Sequence, residues 1–346
     1  MTERTFWNTQ AVPQPGKECN AGVIQEHWER RHDPVTLPEN YTWSTCTIHQ
    51  LFDFLDHHYI QDDEMVLEYN KDTLRWLMPP GDEFNIAVRD NKNKLIGFIC
   101  GKPAEAVSDG KQMPVLFINL LCVHKKHRSK GLAPLLIQEV SRRAVLHGIF
   151  QAVYTAVTEI PTPIIKVKYY HRLLNVEKLR DCGFFRTNRK DLKSIQVRGR
   201  SYMRAMEEAD VPHVRRLLEL YFAHFKLTMA PTEEYVRWLL PRNGVVHSYV
   251  SDDGDKFLCL YRVGYKYKAT GLVLEQAYVM HALGDVLGDA AILAKNEGYD
   301  LLNSLDIGDR DLEGNKFYPG NGHIHYYMYN WKTTDLGPGD VDLVLP

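Results

Sequence analysis

The chain has 346 residues, enough for about two domains or for one large fold built from two halves. Its 42 Lys and Arg residues nearly balance its 44 Asp and Glu residues, and the net charge of −2 argues against a dedicated nucleic-acid binder. A hydrophobic share of 44% and a charged share of 25% are ordinary for a globular protein with a large core, and they exclude a disordered or collagen-like chain.

Membrane, disulfide and metal signals are missing from the sequence. The most apolar long stretch, Val115 to Val123, is far shorter than the roughly 20 residues that a helix needs to cross a bilayer. The first residues lack the pattern of a secretory signal. Six cysteines form no C-x-x-C pair, and the fifteen histidines show no H-E-x-x-H spacing. We therefore expect a cytoplasmic protein without membrane insertion, disulfide framework or metal site.

The first quarter of the chain is rich in polar, aromatic and proline residues, which favour extended backbone. Within it, apolar residues at helical spacing predict a helix over 48–59, and the acidic patch Asp62-Asp63-Glu64 follows. A regular order then begins, with a hairpin, a buried strand that contains Asn119, a basic turn, a helix, a strand, a second helix and a further strand. These elements are predicted at 84–88, 95–100, 115–123, 124–130, 132–147, 152–157, 175–182 and from 184.

A fainter copy of this order follows in the second half of the chain. The predicted copy consists of a helix at 210–225, strands at 249–250, 257–261 and 271–279, a helix at 283–297 and a strand at 301–305. A tyrosine-rich strand at 324–331 and an apolar tail at 341–345 close the chain. The repeat concerns the order of the elements and not the identity of the residues.

A basic, glycine-containing turn, Arg128-Ser129-Lys130-Gly131-Leu132-Ala133, joins the buried strand to the next helix. Backbone N–H groups at a helix N-terminus carry partial positive charge and bind phosphate. Gly131 lets the backbone approach a ligand closely, and the basic side chains add positive charge. The spacing R-x-x-G-x-A resembles the pyrophosphate loop of GNAT acyltransferases, which bind acyl-CoA. For the hexapeptide alone, a solvated basic turn is the alternative.

Five stretches resemble the glycylpeptide N-tetradecanoyltransferase, or N-myristoyltransferase, family, and they run in order from residue 6 to the end of the chain. They are Phe6 to Gln10; Phe117 to Lys126 with Arg128-Ser129-Lys130; Gly148 to Ala156; Tyr170 to Arg172 with Leu174-Asn175; and Tyr326 to Trp331 with Leu343 to Leu345. Because all five occur in register, the resemblance is far more specific than the turn alone.

The resemblance implies an α/β fold with a mixed sheet, in which two GNAT-like halves related by a pseudo-twofold axis form one compact unit. Residues 1–190 would then form the N-terminal half, which binds myristoyl-CoA. Residues 191–346 would form the C-terminal half, which binds much of the peptide substrate. The implied activity is transfer of myristoyl from myristoyl-CoA to the α-amine of an N-terminal glycine.

The resemblance also implies the catalytic residues. The family stabilises the oxyanion of the reacting thioester with two backbone amides, here those of Leu120 and Leu121, and a bulge in their strand would free the N–H groups. Its base is the carboxylate of the last residue, here Pro346, where relatives commonly end in Leu or Gln. Thr155 and Asn119 match polar residues that hold the amine. Core packing is the alternative for the two leucines, and a buried structural role is the alternative for Asn119.

The remaining site residues are implied in the same way. For CoA they are Phe6, Trp7, Cys122, Val123, Arg128, Ser129, Lys130, Gly131, Leu132 and Ala133. For the peptide they are Tyr59, Asp62, Asp63, Tyr169, His171, Asn321, Gly322 and Leu345. Gly131 stands where many relatives have Arg or Lys, and Asn321 replaces an aspartate between two glycines. Gln276 and Ala277 also differ, so the acyl-CoA features match the family better than the peptide-selecting ones.

Blander interpretations of several site residues stay open. Simple anchoring is the alternative for Phe6 and Trp7, core packing is the alternative for Cys122, and a solvated turn is the alternative for Asp62 and Asp63. Two other functions also stay open: a GNAT acetyltransferase with short-chain acyl-CoA, or a non-catalytic acyl-CoA or peptide-binding relative. The Phe6-Trp7 opening and the C-terminal match argue against the acetyltransferase, so we expect a myristoyltransferase, and we expect it to be a monomer. Its expected partners are myristoyl-CoA and proteins or peptides with an N-terminal glycine, with no nucleic acid.

Overall fold

The computed structural model describes residues 6–14, 16–59, 65–184, 196–268 and 270–346. Asp62 and Asp63 lie outside these residues, and so does the expected boundary between residues 190 and 191. The strands are β1 (Gly22–Val23), β2 (Tyr41–Ser44), β3 (Met65–Glu68), β4 (Asn85–Asp90), β5 (Leu95–Ser108), β6 (Lys111–Val123), β7 (Gln151–Ala156), β8 (Ile165–Leu173), β9 (Arg204–Ala205), β10 (Leu227–Met229), β11 (Val246–Val250), β12 (Phe257–Tyr267), β13 (Val273–Leu283), β14 (Leu301–Leu305), β15 (Tyr318–Tyr329), β16 (Trp331–Lys332) and β17 (Val341–Asp342). The helices are α1 (Ile48–His58), α2 (Lys71–Leu77), α3 (Leu132–Leu146), α4 (Val176–Asp181), α5 (Val211–Phe222), α6 (Glu233–Trp238) and α7 (Leu287–Asn296).

One large mixed sheet runs through the molecule in the order β17-β10-β5-β6-β7-β15-β8-β14-β13-β12-β11-β9. Each half of the chain contributes three antiparallel strands, a helix and then a strand parallel to the third. In the first half these are β4-β5-β6, α3 and β7, and in the second half they are β11-β12-β13, α7 and β14. The mixed α/β fold and the structural repeat that the sequence predicts are thus confirmed.

The two halves exchange their next strands. β8 of the first half pairs with β14 of the second, while β15 of the second half pairs with β7 of the first. The order β7-β15-β8-β14 at the centre of the sheet therefore alternates between the halves. Because each half completes the sheet of the other, the fold is one interlocked unit.

A pair of tryptophans adds a contact between the halves. Trp76 of α2 and Trp238 of α6 stack with ring centroids 4.4 Å apart. The Trp76 indole N–H donates to the Trp238 carbonyl at 3.1 Å, and the Trp238 indole N–H donates to the Trp76 carbonyl at 2.9 Å. Both indole donors are therefore satisfied by contacts between the halves, as indole N–H groups in and beside a core usually are.

Helix α3 follows directly from its sequence pattern. Leu132, Leu136 and Val140 recur every fourth residue and are buried in one apolar cluster that also contains residues of β4, β5 and β6. The helix ends just before Gly148, which has φ +75, an angle that suits glycine. This packing fixes the start of α3, and with it the basic turn, at the end of β6.

Several boundaries differ from the prediction. The helix predicted at 48–59 is confirmed as α1, but the rest of the first quarter is not simply extended, because it also contains α2, and Phe6 and Trp7 lie in a helical turn. The predicted hairpin is β4–β5, but β5 continues to Ser108 and forms a second, longer hairpin with β6, and β3 and β8 were not predicted as strands. The strand at 301–305 and the start of α3 at residue 132 are confirmed.

Candidate active site

Strand β6 carries a bulge at Leu120 and Leu121. The register with β5 shifts at this point, so the two leucines together stand opposite Ile99 alone. Leu120 is fully buried and has φ +55, a left-handed angle that is uncommon for a residue with a side chain. The structure thus has a bulge at the position where the family resemblance suggested that one would free the N–H groups, and a bulge turns backbone groups out of the regular ladder.

The bulge lies where β6 and β7 separate. Their parallel pairing covers Val115–Phe117 against Gln151–Val153 and extends no further. β6 nevertheless continues to Val123, and β7 continues to Ala156. The two strands therefore form a wedge beyond Phe117. Backbone groups of β6 that face this wedge lack a ladder partner from β7, and such groups can pair with an extended ligand.

The end of the chain reaches the bulge. Asn119 Nδ2 donates to the Pro346 oxygen at 2.6 Å, and the Leu120 N–H donates to Asn119 Oδ1 at 2.8 Å. The tail before Pro346 is packed, since Leu343 is buried and its carbonyl accepts a hydrogen bond from the Tyr326 hydroxyl at 2.8 Å. One side chain thus joins the end of the chain to the bulge.

Two more predicted residues lie near this point. Burial raises the pKa of the Tyr59 hydroxyl, and a hydrogen bond with the Leu120 backbone opposes that rise, which places Tyr59 beside the bulge. Thr155 lies on β7 opposite Tyr326 and is half-buried. Within the described residues, Thr155 makes no hydrogen bond to Asn119 or Pro346. The structure therefore joins Tyr59 to the bulge directly and leaves Thr155 one strand away.

The basic turn enters α3 through two left-handed residues, Ser129 with φ +60 and Gly131 with φ +78. A Cβ atom at Gly131 would meet nothing within 4 Å, so the backbone angle by itself accounts for the glycine. Gly131 caps α3 without a side-chain hydrogen bond, which leaves the N–H groups of the first turn without a capping side chain. Ser129 and Lys130 are exposed beside them, so the turn has the form of a phosphate cradle.

Arg128, another predicted phosphate ligand, makes hydrogen bonds within the protein. Its guanidinium donates to the Val123 carbonyl at 3.1 Å and to the carbonyl of His58, the last residue of α1. The bond to His58 caps the C-terminal end of α1, where orphan carbonyls favour a cation. In this structure the Arg128 guanidinium thus bonds two carbonyls, and its role as a phosphate ligand stays a prediction. The local sequence gave no signal of this contact, because His58 lies 70 residues away.

The aromatic opening packs beside β7. Phe6 and Trp7 are buried, with ring centroids 5.2 Å apart, and Trp7 stacks on Tyr154 of β7 at 6.1 Å. The Tyr154 hydroxyl is buried and has no hydrogen-bond partner among the described residues. A buried hydroxyl without a partner is costly, so Tyr154 has a donor available for a further hydrogen-bond partner beside the aromatic opening. The wedge and the phosphate cradle together fit an acyl-CoA molecule.

A second cluster brings together the predicted peptide-side residues. Tyr169 and His171 lie on β8, and the irregular part of β15 around Gly320, Asn321 and Gly322 lies against them. A Cβ on Gly320 would clash with His171 Nε2, and one on Gly322 would lie 3.3 Å from the Tyr169 ring. The glycines therefore permit close approach, while Asn321 between them is exposed.

Sequence reasoning missed a polar network behind His171. Asn303 Oδ1 lies 2.6 Å from His171 Nδ1, and Asn303 Nδ2 donates to Gln276 Oε1 at 2.8 Å. Burial lowers the pKa of His171, which the hydrogen bond with Asn303 partly opposes, so the imidazole is neutral at pH 7. Gln276 was noted only as a departure from the family. Polar residues in the middle of buried strands were the available signal, because they require partners.

The remaining predicted residues have simple placements. Burial raises the pKa of the Cys122 thiol to about 12, so Cys122 is not a ready nucleophile. Val123 ends β6, Leu132 is buried at the start of α3 with Ala133 beside it, and Leu345 packs against the main core. Within the described ranges, no group of three or more His, Cys, Asp or Glu residues could hold a metal ion. In the same ranges no helix is long and apolar enough to cross a membrane.

The paired strand–turn–helix halves define a GNAT-like acyltransferase fold. A GCN5-related N-acetyltransferase from Anabaena variabilis shares this fold, with a TM-score of 0.50 at 11% identity over 83% of this chain and 72% of that chain. Models of the N-terminal and C-terminal domains of myristoyl-CoA:protein N-myristoyltransferase match residues 23–167 and 187–341. The chain therefore belongs to the N-myristoyltransferase family, and it is an acyltransferase.

Curated relatives and solved structures agree with this family. Glycylpeptide N-tetradecanoyltransferase 2 of Danio rerio is 35% identical over 98% of this chain and 77% of its own length. Glycylpeptide N-tetradecanoyltransferase 1 of Arabidopsis thaliana is also 35% identical, over 98% and 88%. Saccharomyces cerevisiae N-myristoyltransferase, solved with bound myristoyl-CoA, superposes with a TM-score of 0.90 at 26% identity over 100% of both chains.

Proposed function

We propose that this protein transfers myristoyl from myristoyl-CoA to the α-amine of an N-terminal glycine, with the Pro346 carboxylate as base and the Leu120 and Leu121 amides as oxyanion hole. The observation that carries the proposal is the 2.6 Å hydrogen bond between Asn119 and Pro346, directly beside the bulge at Leu120. It puts the end of the chain and two irregular backbone amides at one point of the wedge. The names of the curated relatives support the choice of donor and acceptor.

In the first step, the protein binds the acyl donor and the peptide. The first-turn N–H groups of α3, together with Ser129 and Lys130, hold the CoA phosphates, and the open edge of β6 pairs with the extended part of the donor. When bound, myristoyl-CoA supplies a thioester whose carbonyl carbon is the electrophile and whose sulfur leaves as the CoA thiol. Tyr169, His171 and the Asn321 loop line the peptide side.

The Pro346 carboxylate then makes the glycine nucleophilic. An α-ammonium group has a pKa near 8, so at pH 7 it must lose a proton before its nitrogen can attack. The carboxylate accepts that proton, and Asn119 Nδ2 holds the carboxylate in place. The new C–N bond forms as the C–S bond breaks, and the second proton released by the amine ends on the departing sulfur.

The Leu120 and Leu121 amides stabilise the negative charge that develops on the thioester oxygen. In this structure the Leu120 N–H donates to Asn119 Oδ1, so Asn119 must give up that bond when the thioester oxygen arrives. Its Nδ2 can keep the bond to Pro346 at the same time, because the two bonds use different atoms. Asn119 thus serves both parts of the proposed machinery.

We also propose that residues 1–190 bind mainly the acyl donor and residues 191–346 much of the peptide. The phosphate cradle and the wedge belong to the first half, whereas Asn303, Gln276 and the Asn321 loop belong to the second. Tyr169 and His171 lie on β8, the strand that the first half contributes to the centre of the sheet. A monomeric, cytoplasmic enzyme stays a prediction from the sequence.

Intact-mass measurement of a Gly-x-x-x-Ser peptide incubated with the protein and myristoyl-CoA tests the transfer. We expect the mass to rise by one myristoyl group, and an N-acetylated copy of the peptide should not react. Acetyl-CoA in place of myristoyl-CoA should give little product. Equal transfer of acetyl would favour the acetyltransferase alternative, and no mass gain despite tight myristoyl-CoA binding would favour a non-catalytic relative.

A C-terminal extension tests the base. A short tag after Pro346 removes the carboxylate from the site, so we expect turnover to fall at least a hundredfold, on the order of a lost catalytic base, with little change in myristoyl-CoA affinity. The same tag inserted in the exposed β11–β12 turn at Asp253 is the control. Full activity of the C-terminally tagged protein would show that Pro346 is not the base.

A further inference from the structure

A buried ionic cluster surrounds Asp342, close to the end of the chain. The Asp342 side chain is fully buried. Its Oδ1 atom lies 3.3 Å from His281 Nδ1, and its Oδ2 atom accepts a hydrogen bond from the Tyr221 hydroxyl at 3.2 Å. Arg310 Nη2 lies 3.7 Å from the same Oδ2 atom, and the Arg310 side chain is 1% exposed. Burial opposes ionisation of Asp342, but Arg310, His281 and Tyr221 hold its pKa below the usual value.

The partners of Asp342 are themselves fixed to separate elements. His281 Nε2 lies 2.6 Å from the hydroxyl of Tyr235, which is on α6, while His281 is on β13. Arg310, which follows β14, donates to the Met280 carbonyl at 2.9 Å and to the Ser304 hydroxyl at 3.1 Å. Tyr221 lies near the end of α5. The groups around the carboxylate therefore lie on, or bond to, four elements of the second half: α5, α6, β13 and β14.

The backbone of the tail is held by few hydrogen bonds. β17 is two residues long, and it pairs with β10 through Val341 and Asp342. Beyond Asp342, the tail's hydrogen bonds are from the Tyr326 hydroxyl to the Leu343 carbonyl and from Asn119 to Pro346. The path from residue 342 to residue 346 spans at most about 14 Å of extended chain. A displacement of the backbone at Asp342 would therefore also displace Pro346, four residues further on.

We propose that Asp342 is a positioning residue, whose contacts with His281, Arg310 and Tyr221 hold the tail in the register that places the Pro346 carboxylate against Asn119. This inference rests on the proposed role of Pro346 as base. A buried ion cluster adds little stability over apolar residues of similar size, and its best-attested use is to fix register. Because the β17 pairing is only two residues long, the side chain of Asp342 adds a directional polar anchor for this register to the apolar packing of Leu343.

The test compares Asp342→Asn with Asp300→Asn, a matched control. Asp300 is also a buried carboxylate, with Lys178 Nζ at 2.5 Å and the Asn175 amide at 2.9 Å, but it lies at the start of β14. For Asp342→Asn we expect deuterium exchange at the amides of residues 343–345 to speed up at least tenfold and kcat to fall at least tenfold. The KM and Kd for myristoyl-CoA should stay within twofold. Asp300→Asn should leave tail exchange and kcat within twofold of the wild type.

Unchanged tail exchange in Asp342→Asn, or a kcat within twofold of the wild type, would overturn the proposal. So would a parallel loss of kcat and myristoyl-CoA binding, because that would indicate a general loss of structure. Exchange does not depend on catalysis, and the C-terminal tag tests the base separately, so failure of the two proposals can be told apart. If Asp342→Asn does not fold, Tyr221→Phe removes the hydroxyl that bonds both Asp342 and Asp309 and keeps every charge, and it should speed tail exchange about threefold.

Discussion

Replacing Asn119 by alanine should lower kcat by about ten- to a hundredfold. The substitution removes the 2.6 Å hydrogen bond to Pro346. A hydrogen bond to a charged group contributes about 1.5–3 kcal/mol, and each 1.36 kcal/mol lost from the transition state is about a factor of ten in rate. The Kd for myristoyl-CoA should change little, because the phosphate cradle at Gly131 is untouched.

Asn119→Asp sharpens this prediction. An aspartate keeps the acceptor that now bonds the Leu120 N–H, but it removes the donor to Pro346 and adds a like charge beside the terminal carboxylate. We therefore expect kcat to fall in the order wild type, Asn119→Ala, Asn119→Asp. If the role of Asn119 were only to cap the Leu120 amide, Asn119→Asp would instead resemble the wild type.

The assay follows release of free CoA thiol with saturating peptide, and calorimetry gives the Kd for myristoyl-CoA. Asn85→Ala is the matched control, because Asn85 is also buried and its Nδ2 donates to the carbonyls of Pro79 and Gly81 at 3.0 Å and 2.6 Å. It should lower thermal stability and leave kcat within twofold. An Asn119→Ala enzyme with a kcat within twofold of the wild type would refute the reasoning.

Two further predictions concern the turn and a buried lysine. Gly131→Ala should destabilise the fold by about 1–2 kcal/mol and weaken CoA binding in calorimetry. Gly110→Ala is the control, because Gly110 has a similar left-handed angle (φ +75) and equally open space around it. It should lower the stability by the same amount without loss of CoA affinity. Burial lowers the pKa of Lys102 to about 7, below its unfolded value, so the free energy of unfolding should rise with pH from about 7 to 10. Lys102→Met should remove that rise in urea melts at pH 7, 8 and 9, and parallel curves for the two proteins would contradict it.

The elements that the sequence predicted well are those whose pattern is local and long. The helix at residue 132 and the strand at 301–305 have a periodic or continuous apolar pattern and clear boundaries. The sequence does not predict the short helix α2, because the residue that it packs against is far away in the chain. Trp76 is buried against Trp238, which is 162 residues away. Strand β8 was missed because its partners, β14 and β15, come from the other half of the chain.

The candidate site likewise contains features that a local pattern predicts and features that depend on distant residues. The bulge and the glycine turn could be predicted, since family resemblance and backbone chemistry point to particular positions in the sequence. The orientation of a long side chain could not be predicted in that way. Arg128 stands in a phosphate-binding pattern, yet its guanidinium bonds the end of α1 because an orphan carbonyl lies within reach. The hydrogen bonds among His171, Asn303 and Gln276 likewise depend on the register between β8, β14 and β13.

The exchanged strands explain why the site lies at the seam between the halves. Asn119 and Pro346 are separated by 227 residues, and each belongs to a different half. The tail reaches Asn119 because Tyr326, which holds the Leu343 carbonyl, lies on β15, and β15 pairs with β7 of the first half. Neither half alone would contain both the wedge and the terminal carboxylate. The proposed oxyanion hole and base therefore come together only where the two halves meet in the central sheet.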